Sequence, residues 1–136
     1  MKRLLKFVIF TVAMGIILVG CRTRAIYNVQ NHPIAEEEIG TGIYSEVYRA
    51  IKEAGVSTKW NIRKIKEGEA QGRFSSGVHG ATIKIIYNNK FFSINYINSK
   101  NLNYDSKEKT IHKNYNKWVQ RLEEEINKNL LILNSK

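Results

Sequence analysis

The sequence has few of the residues that cross-link small proteins or bind metals. Its 136 residues include one cysteine, one proline and three histidines. A single cysteine excludes an intramolecular disulfide, so the core must be held together by packing alone. The histidines, His32, His79 and His112, have no second His, Cys or Asp at a spacing typical of metal ligands. We therefore expect no bound metal and no cofactor.

The motifs of common catalytic sites are also lacking. No Gly-x-Ser-x-Gly elbow, phosphate-binding loop or His-Glu-x-x-His motif occurs. The carboxylates of Glu123–Glu125 fall on one exposed helical turn and do not converge, and loop capping explains Asp105 and His112 better than an acid and base pair does. We expect a protein that is not an enzyme. A hydrolase of envelope material that uses His79 or His112 ranks third among the functional hypotheses.

The first 20 residues have the pattern of an export signal. Lys2, Arg3 and Lys6 give a basic start, and residues 7–19 form an apolar stretch with only two interruptions. This stretch is shorter than the roughly 20 residues that a permanent transmembrane helix needs. The pattern predicts a signal peptide over residues 1–20.

The end of this stretch reads Leu18-Val19-Gly20-Cys21, which resembles a bacterial lipobox. In proteins with this motif a diacylglycerol is attached to the cysteine thiol, the chain is cut between the small residue and the cysteine, and the new amine is usually acylated. We therefore expect cleavage between Gly20 and Cys21, lipidation of Cys21, and a mature protein anchored at a membrane surface. Arg22 is not the aspartate that often retains lipoproteins at the inner membrane. The outer membrane, on its periplasmic side, is therefore favoured.

The charge of the chain is strongly basic, with 22 basic and 12 acidic residues. Residues 1–20 hold three of the basic residues and none of the acidic ones. The predicted mature protein therefore keeps 19 basic and 12 acidic residues, a net charge of +7. Because an exported protein does not meet chromosomal DNA, we do not expect nucleic acid as a partner. Membrane lipid, an envelope protein or an anionic polymer fits better, and solubility alone is the remaining explanation.

The remaining chain divides into a linker and one domain. Residues 21–42 contain Pro33, the acidic run Glu36–Glu38, Gly40 and Gly42, a composition that predicts a flexible tether behind the lipidated cysteine. Residues 43–136 suffice for one small domain with a single core.

Apolar spacing within this domain predicts two helices that enclose four strands. The helices are Ile43–Ala54, with Gly55 as its stop, and Ile111–Leu130; the strands are Trp60–Lys66, Glu69–Ser75, His79–Tyr87 and Phe91–Ser99. Glycines and the pair Asn88-Asn89 separate the strands. We predict an α+β fold of two layers, α-β4-α, in which an antiparallel four-strand meander carries the N-terminal and C-terminal helices on one face.

The alternation of residues along the strands predicts a core face and an open face. The core face would carry Ala81, Ile83, Ile85, Tyr87, Phe92, Ile94 and Tyr96. The other face, called here the open sheet face, would carry Arg63, Arg73, Lys84, Ile86 and Phe91. Its mixture of basic and apolar side chains predicts an interaction module that docks an envelope protein or an anionic polymer.

A second functional hypothesis is binding of a small amphipathic ligand. The ligand would lie between the helix pair and the sheet, among Tyr87, Tyr96, Tyr115 and Trp118. Core packing is the competing explanation for these aromatic residues.

Three groups of residues in the second half of the chain carry a family resemblance. They are residues 78–87 (Val-His-Gly-Ala-Thr-Ile-Lys-Ile-Ile-Tyr), then Phe92-Ser93-Ile94 with Tyr96, Ser99, Asn101, Leu102 and Tyr104, then Ile111-His112, Tyr115-Asn116 and Trp118-Val119. Together they resemble a family of small, uncharacterised proteobacterial lipoproteins, over residues 50–126. That family is expected to hold Gly, Arg and Tyr where this chain has Lys59, Gly77 and Phe92. The resemblance implies a lipid anchor and the predicted fold, and it implies no activity.

Overall fold

The computed structural model describes residues 22–34 and 43–135. The predicted signal peptide, Gly20 and Cys21 lie outside the described residues, as do Glu36–Glu38. The described chain is mixed α+β, as the sequence predicts, with two helices, a five-stranded antiparallel sheet and a separate two-stranded sheet. No helix in this part of the chain is long and apolar enough to cross a membrane.

The first helix, α1 (Ile43–Thr58), continues past Gly55, the predicted stop. Gly55 is instead a point of close approach, because a Cβ atom there would lie 2.8 Å from the Trp60 carbonyl oxygen and closer still to the Ile62 side chain. The helix ends at Thr58, and Lys59 takes a φ of 66°. A left-handed residue directly after the last turn is a common helix end, usually occupied by glycine.

The second helix, α2 (Lys113–Asn134), begins two residues later than the predicted start at Ile111. Ile111 belongs to a short strand, and His112 caps the helix, since its Nδ1 accepts a 3.2 Å hydrogen bond from the Asn114 amide. The predicted boundary was wrong because Ile111 has the apolar spacing of the helix although its backbone pairs in a sheet.

The predicted four-strand meander is only part of the sheet. The strands are β1 (Thr23–Ala25), β2 (Val29–Pro33), β3 (Trp60–Lys66), β4 (Glu69–Ser76), β5 (His79–Tyr87), β6 (Phe91–Lys100) and β7 (Thr110–His112). Strands β3 to β6 form the meander, and β2 adds a fifth strand beside β6, in the order β2-β6-β5-β4-β3. Strands β1 and β7 pair with each other in the two-stranded sheet.

The predicted flexible tether is therefore wrong for residues 22–34, which contribute β1 and β2. Strand β6 would otherwise leave a row of unpaired backbone groups at the sheet edge, and β2 satisfies them. Val29 and Ile34 are 3% and 4% exposed and join the core. Pro33 is the last residue of this edge strand, a position where its missing N–H is tolerated.

The core lies between the helices and one face of the sheet, as predicted. Of the predicted core-face residues, Ala81, Ile83, Ile85, Tyr87, Phe92 and Ile94 are buried, and Tyr96 is half-buried against them. The helices complete this cluster with Val47, Ala50, Ile51 and Ala54 from α1 and Tyr115, Val119, Leu122, Ile126 and Leu130 from α2. Both helices therefore cover the same face, and the opposite face of the described sheet is left open.

Candidate functional site

The cations of the open sheet face form a diagonal series across three strands. Arg63 pairs with Gln71 and Gln71 with Lys84, while Arg73 pairs with Thr82, two residues before Lys84. Residues paired across antiparallel strands lie on the same face, and diagonal neighbours lie about 7–8 Å apart. The strand pairing thus places Arg63, Arg73 and Lys84 side by side on one face, as the alternation of the sequence predicts.

Glu69 is a carboxylate on this face that the sequence analysis missed. It pairs with Ile86 in the strand register, and its two carboxylate oxygens lie 3.8 Å from Lys84 Nζ and 3.8 Å from Lys66 Nζ. Exposed pairs of this kind contribute about 0–1 kcal/mol. Lys84 is thereby partly neutralised. Arg63 and Arg73 are exposed and have no ion pair among the described residues, so they carry the unbalanced positive charge of the face.

The apolar members of the face are less exposed than its cations. Ile86 is half-buried between Glu69 and Ser93, its partners on the neighbouring strands. Phe91 is also half-buried and pairs with Pro33 of β2, the strand that the sequence analysis assigned to the tether. The open sheet face is therefore a polar and basic surface with two apolar side chains at one end.

A second cluster, which was not predicted from the sequence, forms where β2 meets α2. The Tyr27 hydroxyl donates a 2.6 Å hydrogen bond to Glu123 Oε2, and His32 Nδ1 lies 2.8 Å from Glu123 Oε1. The His32 ring also stacks on Phe92, with centroids 4.7 Å apart. His32 is thus held by a carboxylate of α2 and does not lie on a tether.

The same segment is fixed to α2 by Asn116. Its side-chain oxygen accepts a 3.0 Å hydrogen bond from the Tyr27 amide, and its side-chain nitrogen donates one of 2.9 Å to the Ala25 carbonyl. The hydrogen bond to Glu123, with burial and the nearby carboxylates, raises the pKa of Tyr27 from 10.0 to about 12. These contacts clamp the segment along the helix.

The histidines named in the hydrolase hypothesis both bind backbone groups. His79 Nδ1 lies 2.7 Å from the Asn101 carbonyl oxygen, and His112 caps α2. Asp105 accepts hydrogen bonds from the amides of Lys107 and Glu108, so it caps its own loop and is not paired with His112. Within residues 22–34 and 43–135, no three His, Cys, Asp or Glu side chains are grouped in a way that could hold a metal ion.

The four aromatic residues of the ligand hypothesis do not converge. Tyr115 packs edge-on against Tyr96, with centroids 5.6 Å apart, whereas Tyr87 stacks near Tyr48. Tyr115 and Tyr87 are 0% and 2% exposed and fill the core. Their hydroxyls have no hydrogen-bonding partner among the described residues.

The fourth, Trp118, stacks on Phe74 with centroids 4.3 Å apart, beside a cleft of about 310 Å³. Lys59 and Arg121 line this cleft, together with hydroxyl side chains from the ends of α1 and β4. Neither cation forms an ion pair with another described residue. The amphipathic site that the structure offers thus lies at the edge of the core and not between the helices and the sheet.

Comparison of the chain with protein-family models finds no match, and neither the curated proteins nor the solved structures contain one. The resemblance to small proteobacterial lipoproteins therefore stays a prediction.

Proposed function

We propose that the protein is a lipid-anchored lipoprotein of the bacterial cell envelope that docks an acidic envelope protein or an anionic polymer on its open sheet face. Cys21, after cleavage behind Gly20, is the anchor in this proposal, and the outer membrane is its favoured location. The docking is non-enzymatic and involves no nucleic acid.

The observation that carries the docking proposal is the diagonal series Arg63, Arg73 and Lys84 on a surface that no described element covers. No acidic residue lies directly opposite Arg63, Arg73 or Lys84 in the strand register, so the positive charge of Arg63 and Arg73 stays unbalanced. Arginine binds carboxylate and phosphate through two parallel hydrogen bonds, which suits an acidic chain laid across the strands. Ile86 and Phe91 would add apolar contact at one end of that chain.

The direct test is binding of a defined acidic polymer, polyglutamate, to the lipidated protein in detergent. The double variant Arg63→Glu with Arg73→Glu should lose about tenfold or more of the affinity, which corresponds to about 1.4 kcal/mol. The matched control is Arg49→Glu with Lys52→Glu, which makes the same charge change on α1. Equal losses in both variants would show a non-specific effect of net charge and would contradict the proposed site.

The natural partner would then be sought by crosslinking and affinity capture from solubilised envelopes, read by mass spectrometry. A partner captured by the wild type and lost with Arg63→Glu and Arg73→Glu would support the proposal. The Cys21→Ala variant tests the anchor in parallel, because it should lack acyl mass. A wild-type protein without acyl mass on Cys21 would contradict the lipoprotein assignment.

Binding of a small amphipathic ligand is a second candidate, and the cleft beside Trp118 favours it. Phe74 and Trp118 give an aromatic wall, and Lys59 and Arg121 supply cations without ion-pair partners. A ligand with one apolar face and one acidic group matches this arrangement. The carboxyl end of α1 opposes an anion there, by about 0.3–1 kcal/mol, and the two cations must outweigh that effect.

Native mass spectrometry of protein from its own envelope tests this candidate. A retained mass should be lost in the double variant Lys59→Gln with Arg121→Gln and kept in the control pair Arg49→Gln with Lys52→Gln. A wild-type protein with only its own lipidated mass would count against the ligand.

A further inference from the structure

The segment that follows the predicted anchor is built into the domain. We call residues 22–34 the anchor strap. Its first residue, Arg22, accepts a 2.9 Å hydrogen bond on its carbonyl oxygen from the Lys113 amide, and Thr23 pairs with His112. The Ile26 amide donates a 2.9 Å hydrogen bond to the Lys109 carbonyl. The strap is thus held from its first described residue onwards.

Covalent geometry then limits how far the domain can move from its anchor. Consecutive Cα atoms are about 3.8 Å apart, and Arg22, which directly follows the proposed lipid attachment, is hydrogen-bonded to the start of α2. Acyl chains on Cys21 would emerge directly beside this end of the domain. A tether of residues 21–42 would have let the domain rotate freely, whereas this arrangement would give a lipidated domain one side that faces the membrane.

The charge of that side is positive. Residues 22–26 and 105–117, which pair with each other through β1 and β7, contain six basic and two acidic side chains, a net charge of +4. We call the exposed cations of this end the anchor-side surface; they are Arg22, Arg24, Lys107, Lys109, Lys113 and Lys117. None of them forms an ion pair with another described residue, although Asp105 and Glu108 lie in the same loop.

Two of these lysines occupy positions where a lysine destabilises the fold. Lys109 has a φ of 55°, a left-handed conformation that glycine or asparagine adopts at lower cost. Lys113 opens α2, whose first turn has no acidic residue, and a cation there opposes the helix dipole. Residues that are unfavourable for the local backbone conformation or helix end, and that bring no gain in stability, tend to lie at functional positions. Both lie beside the anchor, where lipid phosphates would offset their charge.

We propose that the anchor-side surface rests on anionic phospholipid headgroups, so that the lipidated domain has one fixed orientation on the membrane. This inference depends on the lipidation of Cys21 proposed above. Two acyl chains would hold the protein at the bilayer, and each nearby lysine or arginine would add attraction to the negative surface. The turn between β5 and β6, roughly 25 Å away at the far end of the sheet, would point away from the bilayer.

Two matched labels test the orientation. The only cysteine carries the lipid in the mature protein, so a fluorophore attaches to one introduced cysteine alone. Asn114→Cys lies next to Lys113 and Asn89→Cys lies in the β5–β6 turn, and both replace an exposed asparagine. The lipidated proteins are inserted into vesicles of brominated phosphatidylcholine, with or without phosphatidylglycerol. The label at 114 should be quenched by the bromine, more strongly with phosphatidylglycerol, and the label at 89 should not.

Charge reversal tests whether the lysines are responsible. Lys113→Glu with Lys117→Glu should abolish the quenching at 114 while the protein stays bound through its acyl chains. It should also raise the melting temperature, since the helix dipole favours an acidic residue at position 113, in the first turn; loss of contact could then not be attributed to unfolding. The control pair Lys52→Glu with Lys90→Glu makes the same charge change elsewhere and should leave the quenching intact.

The outcomes separate this inference from the lipoprotein proposal. Equal quenching at 114 and 89 in a protein that carries acyl mass would overturn the fixed orientation and leave the anchor in place. Quenching at 114 that survives Lys113→Glu with Lys117→Glu would overturn the role of the cations. Absence of acyl mass on Cys21 would overturn both proposals.

Discussion

The Tyr27 hydroxyl lies 2.6 Å from Glu123 Oε2 across 96 residues of sequence, and His32 binds the second oxygen of the same carboxylate at 2.8 Å. One glutamate therefore fastens the anchor strap to α2 at two points. Hydrogen bonds to a charged group are stronger than those between neutral groups. Glu123 thus links the segment beside the predicted anchor to the core helix.

Loss of the Tyr27 contact should loosen the strap. Tyr27→Phe removes the hydroxyl and should lower the free energy of unfolding by about 1–2 kcal/mol, because a hydrogen bond to a charged group contributes about 1.5–3 kcal/mol and this one is partly exposed to solvent. Hydrogen exchange should quicken at the amides of residues 29–32 in β2. Glu124→Gln, on the next and exposed residue, is the control and should change neither quantity. Unchanged exchange in β2 with Tyr27→Phe would contradict the clamp.

The stability contributed by Tyr27 should disappear in alkali. Its pKa is raised from 10.0 to about 12, so the folded protein holds the phenolic proton more tightly than the unfolded chain does. The contribution is complete below pH 10 and is lost as the pH rises towards 12. Tyr87, Tyr96 and Tyr115 also have raised pKa values, mainly through burial, so wild type and Tyr27→Phe should both weaken.

Comparing wild type with Tyr27→Phe isolates the contribution of Tyr27 to stability. The difference in unfolding free energy between wild type and Tyr27→Phe, measured with urea at several pH values, should shrink between pH 10 and pH 12. A difference that stays constant over this range would mean that the hydroxyl does not hold its proton through Glu123.

The elements that could be predicted from the sequence are those with a strong apolar period. Helices α1 and α2, strands β3 to β6 and the core face all follow from side-chain spacing, because each buries a row of apolar residues. Strand β2 could not be found in this way, since it joins the sheet through backbone hydrogen bonds and buries only Val29 within the strand. Its partner β6 lies about 60 residues away, and no local sequence pattern predicts that pairing.

The candidate sites show the same difference between features that follow from local spacing and features that depend on long-range contacts. Alternation along single strands was enough to place Arg63, Arg73 and Lys84 on one face, and it would also have placed Glu69, four residues before Arg73 on the same strand. The cluster of Tyr27, His32 and Glu123 depends on a long-range contact. The cleft beside Trp118 depends on where the ends of α1 and β4 meet the side of α2, which no residue pattern specifies.

Gly55 offers a test in which two known effects oppose each other. Gly55→Ala should gain about 1 kcal/mol from helix propensity. The added Cβ would meet the Trp60 carbonyl oxygen at 2.8 Å and the Ile62 side chain closer still, and overpacking of a core costs about 1–3 kcal/mol. A backbone oxygen cannot move aside cheaply, so we expect net destabilisation. Urea unfolding measures it, and Gly77→Ser, at a glycine with open space around it, shows the cost of a positive φ alone.

Lys59 should respond in the opposite way, because its backbone has the conformation that glycine prefers. Its φ of 66° follows the last turn of α1, and a left-handed residue with a side chain costs about 1–2 kcal/mol. Lys59→Gly should therefore raise the free energy of unfolding by about 1 kcal/mol, which corresponds to a rise in Tm of about 4–8 °C for a domain of this size. Lys59→Ala removes the same charge and keeps the left-handed strain, so it should bring no gain.

Equal stability of the Gly and Ala variants would mean that the conformation at residue 59 carries no strain. A stabilised Lys59→Gly that also lost a bound ligand would show that the lysine is kept for the cleft at the expense of the fold.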